Sequence, residues 1–215
     1  MSGSLLREGA EQQPMPAVFI DKDGTLVDDV PFNTDPARIR LASAAASALR
    51  LLREQGYRLF VVSNQPGIAR GLLSEAQLHR AFAHILCLLS PDTGPAHPLL
   101  DGFYYCPHSP PSTADQHHNL TSACCCRKPA PGLLLRAARE HHLQLTKSWM
   151  IGDILDDIEA GHRAGCRSVL INNGNETLWQ PGRLRTPDGI VSGLYEAAQM
   201  IVQTAAAERA HLHDA

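Results

Sequence analysis

The chain has 215 residues, 44% of them hydrophobic and 19% charged, enough for one domain with a proper core. Its net charge of −3 excludes the broad basic face of a nucleic-acid binder, and no apolar run approaches membrane-spanning length. An anionic ligand must therefore be attracted by a local cluster or a metal.

Met1 to Pro16 holds Arg7, Glu8 and Glu11 and lacks a continuous apolar stretch, so it reads as a loose tail and not as a secretory signal. The expected setting is the cytoplasm, where six cysteines argue for thiols or metal rather than disulfides. Residues 17–215 then read as a single domain. Ala17-Val18-Phe19-Ile20 ends abruptly in Asp21-Lys22-Asp23-Gly24-Thr25, the pattern of a buried strand that delivers acids to its C-terminal edge. Val27 to Ile39, with Pro31, Asn33 and Pro36, is irregular chain beside that edge. A helix is predicted over Ala42 to Gln55, stopped by Gly56, and a strand over Tyr57 to Val62. Ser74 caps a helix over Glu75 to Leu89. Pro91 to Pro98 is a loop, Gly102 to Tyr105 a short strand, and Ser109 to Ala123 a polar stretch with no core of its own. There follow a helix over Pro131 to His142, a strand over Ser148 to Ile151, a helix over Ile154 to Ala164 and a strand over Arg167 to Ile171. Asn172 to Asp188 is loop, Gly189 to Val191 a last strand and Leu194 to Glu208 a last helix. This alternation predicts an α/β fold, a parallel sheet with helices on both faces and no internal repeat.

Polar residues collect at the strand ends, where open α/β sheets bind ligands. Side chains alternate along a strand, so Asp21 and Asp23 can face the same way, and Gly24 permits the turn that follows. One of the pair can attack or bind a cation while the other moves a proton. The same residues would also suit an acidic turn or a calcium loop, but Thr25-Leu26-Val27 does not continue a calcium-loop pattern. After the second strand comes Ser63-Asn64-Gln65-Pro66-Gly67-Ile68-Ala69-Arg70-Gly71. Ser63 can hydrogen-bond a phosphate oxygen and Asn64 a substrate hydroxyl, although both also suit an ordinary turn. Asp153 follows the strand at Met150-Ile151 and brings a third carboxylate to the edge. With Asp21 and Asp23 it can hold a hard cation, and magnesium suits a few carboxylates plus phosphate oxygens. Asp157, four residues on, can support Asp153 from the same helical face, and Asp153 could instead serve only as a helix cap.

Cys106, His108, Cys124 and Cys126 form a C-x-H…C-x-C set, the donors of a closed tetrahedral zinc site. The fifteen residues between the halves, 109–123, are too polar to fold by burial, and zinc would staple that loop at its base. His117 and His118 are rival ligands, and buried thiols or a redox pair are the alternatives. Four protein ligands leave no open position, so the zinc would be structural. Arg127 and Lys128 follow at once. Lys128 can act as a point charge on a phosphoryl group and Arg127 as a bidentate fork for phosphate or sugar oxygens.

Taken in order, Asp-x-Asp-Gly-Thr, the strand-end Ser-Asn, Lys128 and Gly152-Asp153 with Asp157 resemble the haloacid dehalogenase (HAD) superfamily of phosphatases. Within it, Ser63 to Gly71, Tyr104-Tyr105-Cys106-Pro107-His108 and Cys124 to Pro129 resemble the D-glycero-D-manno-heptose 1,7-bisphosphate 7-phosphatases. The resemblance implies a Rossmann-like core without a large cap domain, a magnesium ion, a structural zinc and a small phosphorylated sugar as substrate. It implies Asp21 as nucleophile and Asp23 as general acid, then base. Magnesium would be bound by Asp21, the Asp23 carbonyl and Asp153. Ser63 and Lys128 would hold the phosphoryl group and Arg127 would recognise substrate. Asp28, Asp29, Val30, Pro31 and Phe32 would form a flap over the substrate, with Asn64, Gln65 and Pro66 opposite. Two features depart from the pattern: the flap reads Asp-Asp-Val-Pro-Phe-Asn, and Ile154 stands where a substrate-contacting lysine is frequent. A monomer is expected, without nucleic-acid or membrane partners. Histidinol-phosphate phosphatase, which shares the acids and the knuckle, is the alternative enzyme. A silent zinc-binding interaction module is the alternative of another class.

Overall fold

The computed structural model describes residues 13–89, 98–110, 124–180 and 182–213. Six parallel strands form one sheet in the order β3-β2-β1-β4-β5-β6. They are β1 Ala17–Ile20, β2 Arg58–Asn64, β3 Gly102–Cys106, β4 Trp149–Gly152, β5 Arg167–Ile171 and β6 Gly189–Val191. The helices are α1 Ala45–Glu54, α2 Glu75–Leu89, α3 Gly132–His141, α4 Leu155–Ala164 and α5 Leu194–His213. Among the described residues the helices pack on both faces of this one sheet, as the expected fold requires.

Strand alternation divides the core in two. Val18, Ile20, Leu59, Val61, Trp149, Ile151, Val169 and Ile171 pack with residues of α1, α2 and α5. Phe19, Phe60, Val62 and Met150 point the other way and pack with Leu133, Leu134 and Ala137 of α3 and Ala160 and Ala164 of α4. Both faces of β1 are therefore dry, which explains its uninterrupted apolar sequence.

Three boundaries differ from the sequence reading by more than one residue. Helix α1 starts at Ala45 rather than Ala42, because Ala42 N–H donates to the Leu26 carbonyl (2.9 Å) and Ala44 adopts a left-handed φ of 54°. Strand β2 runs on through Ser63 and Asn64, which stay in register with Tyr105 and Cys106 of β3. Helix α5 continues past Glu208 to His213. Helix α2 begins as expected: Ser74 Oγ accepts from Gln77 N–H (3.2 Å), while Gln77 Oε1 accepts from Ser74 N–H (2.8 Å). Residues 1–12 of the expected tail, the 91–97 loop, and 111–123 with His117 and His118 lie outside the described residues. Met15 is tied into the domain, donating from N–H to the His142 carbonyl (3.2 Å) and accepting from Gln144 N–H (2.9 Å).

The strand order puts the site in place. From β1 the chain moves outward to β2 and β3, then returns to the other side of β1 for β4. The reversal leaves a crevice beyond the ends of β1 and β4, where ligands of such sheets bind.

Candidate active site

Asp21 leaves the end of β1 and Asp153 the end of β4, so adjacent strands deliver both carboxylates to the crevice. Asp21 N–H donates to the Ile151 carbonyl at 2.9 Å, which fixes the first turn beyond β1 against β4. A cleft of about 190 Å³ lies there, lined by Asp21, Asp23, Asp29, Ser63, Asn64, Lys128, Asp153, Ile154 and Asn175. Carboxylate oxygens of Asp21, Asp153 and Asp157 all lie within 4.8 Å of one another. Of these, Asp21 and Asp153 offer hard oxygen donors that fit magnesium, and Asp157 is paired with Lys128.

Lys128 is the cation at the base of the cleft, with 2% of its surface exposed. Its ammonium donates to Asp21 Oδ1 and to the Val62 carbonyl (3.0 Å), and lies 2.6 Å from Asp157 Oδ1. Burial works against its charge, but Asp157 and Asp21 outweigh it, and the pKa is raised. Asp157 therefore supports Lys128; from the sequence it was expected to support Asp153. The backbone of Lys128 is gripped as well: Asn64 Nδ2 donates to its carbonyl (3.1 Å), and its N–H donates to Asn64 Oδ1 (3.0 Å). Both polar ends of the Asn64 amide are thus engaged within the protein.

The carboxylates are crowded. Burial first, then the charges of Asp157 and Asp23, hold Asp21 up at about 7 despite the attraction of Lys128. Burial and the Asp21 charge raise Asp153 to about 6. A divalent cation would relieve both effects. Asp23 is more open; it accepts from Lys22 Nζ and from Gln65 Nε2 (3.0 Å), and Gln65 Nε2 also reaches Ser63 Oγ (2.8 Å). Gln65 thereby ties the second acid to the strand-end hydroxyl.

Asp153 is not the helix cap; Ile154 occupies that position. The Asp153 carboxylate instead accepts from Thr25 Oγ1 (3.3 Å) and Asn175 Nδ2 (2.7 Å). The sequence reading assigned no role to Asn175. Its signal was the run Asn172-Asn173-Gly174-Asn175-Glu176 directly after β5, at the same sheet edge that supplies the other polar sets.

The flap and the knuckle flank the cleft. Val27 pairs with Leu41, and Asp28 N–H donates to the Arg40 carbonyl (3.0 Å), so residues 28–40 form a closed excursion. Asp29 lines the cleft, and Asp28 and Asp29 line an adjoining pocket of about 340 Å³. Phe32 sits over Gly67, where a Cβ would lie 2.7 Å from Phe32 Cδ1. Val30, Pro31, Phe32, Gln65, Pro66 and Arg127 are not among the cleft-lining residues. Arg127 donates from Nη1 to the His108 carbonyl (3.4 Å), back across the knuckle.

Sγ of Cys106, Cys124 and Cys126 and Nδ1 of His108 converge. Cys106 Sγ lies 3.4 Å from His108 Nδ1, 3.6 Å from Cys124 Sγ and 3.2 Å from Cys126 Sγ, and His108 Nδ1 lies 3.3 Å from Cys126 Sγ. Tetrahedral bonds of about 2.0–2.3 Å span roughly 3.3–3.8 Å between donors, so the set is close to the size zinc needs. Burial pushes the Cys106 thiol up, and a thiolate there calls for a cation beside it. Cys125 lies outside the cluster and is exposed.

A family model described as HAD-hydrolase-like matches residues 125–197. The D-glycero-beta-D-manno-heptose-1,7-bisphosphate 7-phosphatase of Photorhabdus laumondii is 34% identical over 90% of this chain and 93% of its own. The Escherichia coli K12 protein of the same name is 34% identical over 81% of this chain and 84% of its own. The crystal structure of D,D-heptose 1,7-bisphosphate phosphatase from B. bronchiseptica, in complex with magnesium and phosphate, superposes with a TM-score of 0.73 at 27% identity. That match covers 88% of this chain and 99% of the other. Sheet order, strand-end acids and buried lysine together define a HAD-like hydrolase. Within that class the chain belongs to the D-glycero-beta-D-manno-heptose-1,7-bisphosphate 7-phosphatase family.

Proposed function

We propose that the protein is a magnesium-dependent phosphatase that removes the C7 phosphate of D-glycero-D-manno-heptose 1,7-bisphosphate and leaves heptose 1-phosphate. The observation that carries the reading is Lys128 pinned between Asp21 and Asp157, beside Asp153, in a chain with such close heptose-phosphatase relatives. Asp21 and Asp153 would hold the magnesium, with the Asp23 carbonyl. When bound, the ion supplies charge neutralisation for the phosphate and the developing negative charge.

Asp21 attacks phosphorus in line; its Oδ1 is held by Lys128, which leaves the second oxygen for the attack. The P–O bond to the sugar breaks as the Asp21–P bond forms, giving an aspartyl-phosphate. Asp23, positioned by Gln65, donates a proton to the departing sugar oxygen. It then takes a proton from water, which displaces phosphate and restores Asp21. Lys128 and Ser63 stabilise charge on the equatorial oxygens. The cleft accommodates the reacting phosphate, while the adjoining pocket, which shares Asp29 and Asn175 with it, can take the rest of the sugar phosphate. The knuckle would bind zinc as a structural ion that fixes the approach of Arg127 and Lys128.

Steady-state kinetics on both heptose bisphosphate anomers beside histidinol phosphate test the assignment. The highest kcat/KM is expected for a heptose bisphosphate. Higher kcat/KM on histidinol phosphate would replace it with the alternative enzyme.

A further inference from the structure

The loop after β5 makes three side-chain contacts with three segments of the site. Asn173 Nδ2 donates to the Gly24 carbonyl (2.7 Å) in the turn after β1. Asn175 Nδ2 donates to Asp153 Oδ2 (2.7 Å) after β4. Glu176 Oε2 accepts from Leu155 N–H (2.7 Å), the first residue of α4. The loop also braces itself, since Asn175 N–H donates to Asn173 Oδ1 (3.2 Å) and Leu178 N–H to Glu176 Oε1 (2.7 Å). The fit is close: a Cβ at Gly24 would lie 2.1 Å from Asp153 Oδ2 and 2.5 Å from Asn175 Nδ2.

We propose that Asn173 to Glu176 form a positioning clamp for the metal-binding loops, in which Asn175 orients the Asp153 carboxylate and so sets how tightly magnesium is held. The proposal rests on Asp153 being a magnesium ligand. A buried carboxylate can rotate about its last bond, and a cation gains full benefit only when the acceptor is already aimed. Asn175 fixes one oxygen from one side and Thr25 the other, leaving lone pairs of both for a cation. Of the clamp's three contacts, only that of Asn175 reaches a carboxylate of the cleft. Asn173 and Glu176 hold backbone groups and anchor the loop. Partners that orient metal ligands in this way typically contribute about 10- to 100-fold to metal affinity.

The test compares parent, Asn175→Ala, Asn175→Ser and Asp153→Asn. Magnesium affinity is measured by titration calorimetry on the whole chain, together with the magnesium dependence of phosphate release. Asn175→Ala should bind magnesium at least about tenfold more weakly, with turnover largely recovered as magnesium is raised. Asn175→Ser, which keeps a donor, should fall between it and the parent. Parent-like affinity in Asn175→Ala with a large loss in Asp153→Asn would overturn the clamp alone. Parent-like affinity in both would overturn the magnesium role of Asp153 and the clamp with it. Turnover that excess magnesium does not restore in either Asn175 variant would make Asn175 a loop-folding residue and refute the proposal.

Discussion

Asp21, Asp153 and Asp157 crowd three acids around one ammonium, and that imbalance has consequences at the scale of single residues. Asp21 titrates near 7 and Asp153 near 6 in the folded chain, above the ordinary value of 3.8. A raised carboxyl pKa favours the fold while the group is protonated. The contribution is whole below about pH 4 and is lost as pH rises through 6 to 7. Magnesium competes with those protons, so its stabilisation should be larger at about pH 8 than at about pH 5.5. Thermal melts with and without magnesium at the two pH values check this; an equal shift at both would contradict it. Asp21→Asn should lower phosphate release by at least about a hundredfold while the melting temperature holds, because an amide cannot form the acyl-phosphate. Release within tenfold of the parent would remove Asp21 as nucleophile. Asp21 and Asp153 were legible in the sequence because each directly follows an apolar strand. Asn175 was not, because it lies beyond Asn172, Asn173 and Gly174 after β5, and an amide inside a Gly- and Asn-rich loop looks like turn chemistry.

At the scale of elements, the knuckle holds Lys128 by its start and Asn64 of β2 holds it by its backbone. Protein purified without chelator should carry about one zinc per chain, as a closed four-ligand site requires. Cys124→Ser should lower melting temperature and turnover together. Zinc-free parent protein, or a Cys124→Ser variant with parent-like turnover, would argue against a structural zinc. The helices and strands were legible from periodicity and from Gly56 and Gly165, which end α1 and α4 with φ of 83° and 88°. What was hidden depends on neighbours. The extension of β2 comes from its pairing with β3, and the late start of α1 from the bond between Ala42 and Leu26. The partner of Asp157 was hidden too: its spacing from Asp153 shows a shared helix face, but only the fold brings Lys128 from far along the chain to meet it.

At the scale of the whole molecule, the reversal of strand order at β1 and β4 brings Asp21 and Asp153 together across 132 residues of sequence, the difference of their numbers. Ser63 arrives from β2 and Lys128 from the knuckle, so the site exists only when the sheet is complete. Asp29 of the flap and Ile154 form part of the cleft wall, together with Asp21, Asp23, Asp153 and Lys128. The most direct measurement follows both phosphorus signals of D-glycero-D-manno-heptose 1,7-bisphosphate by phosphorus NMR, with magnesium and with chelator. The account predicts loss of the C7 ester signal alone, growth of inorganic phosphate, retention of the C1 phosphate and no reaction in chelator. Release from C1, or C7 release that chelator leaves unchanged, would contradict it.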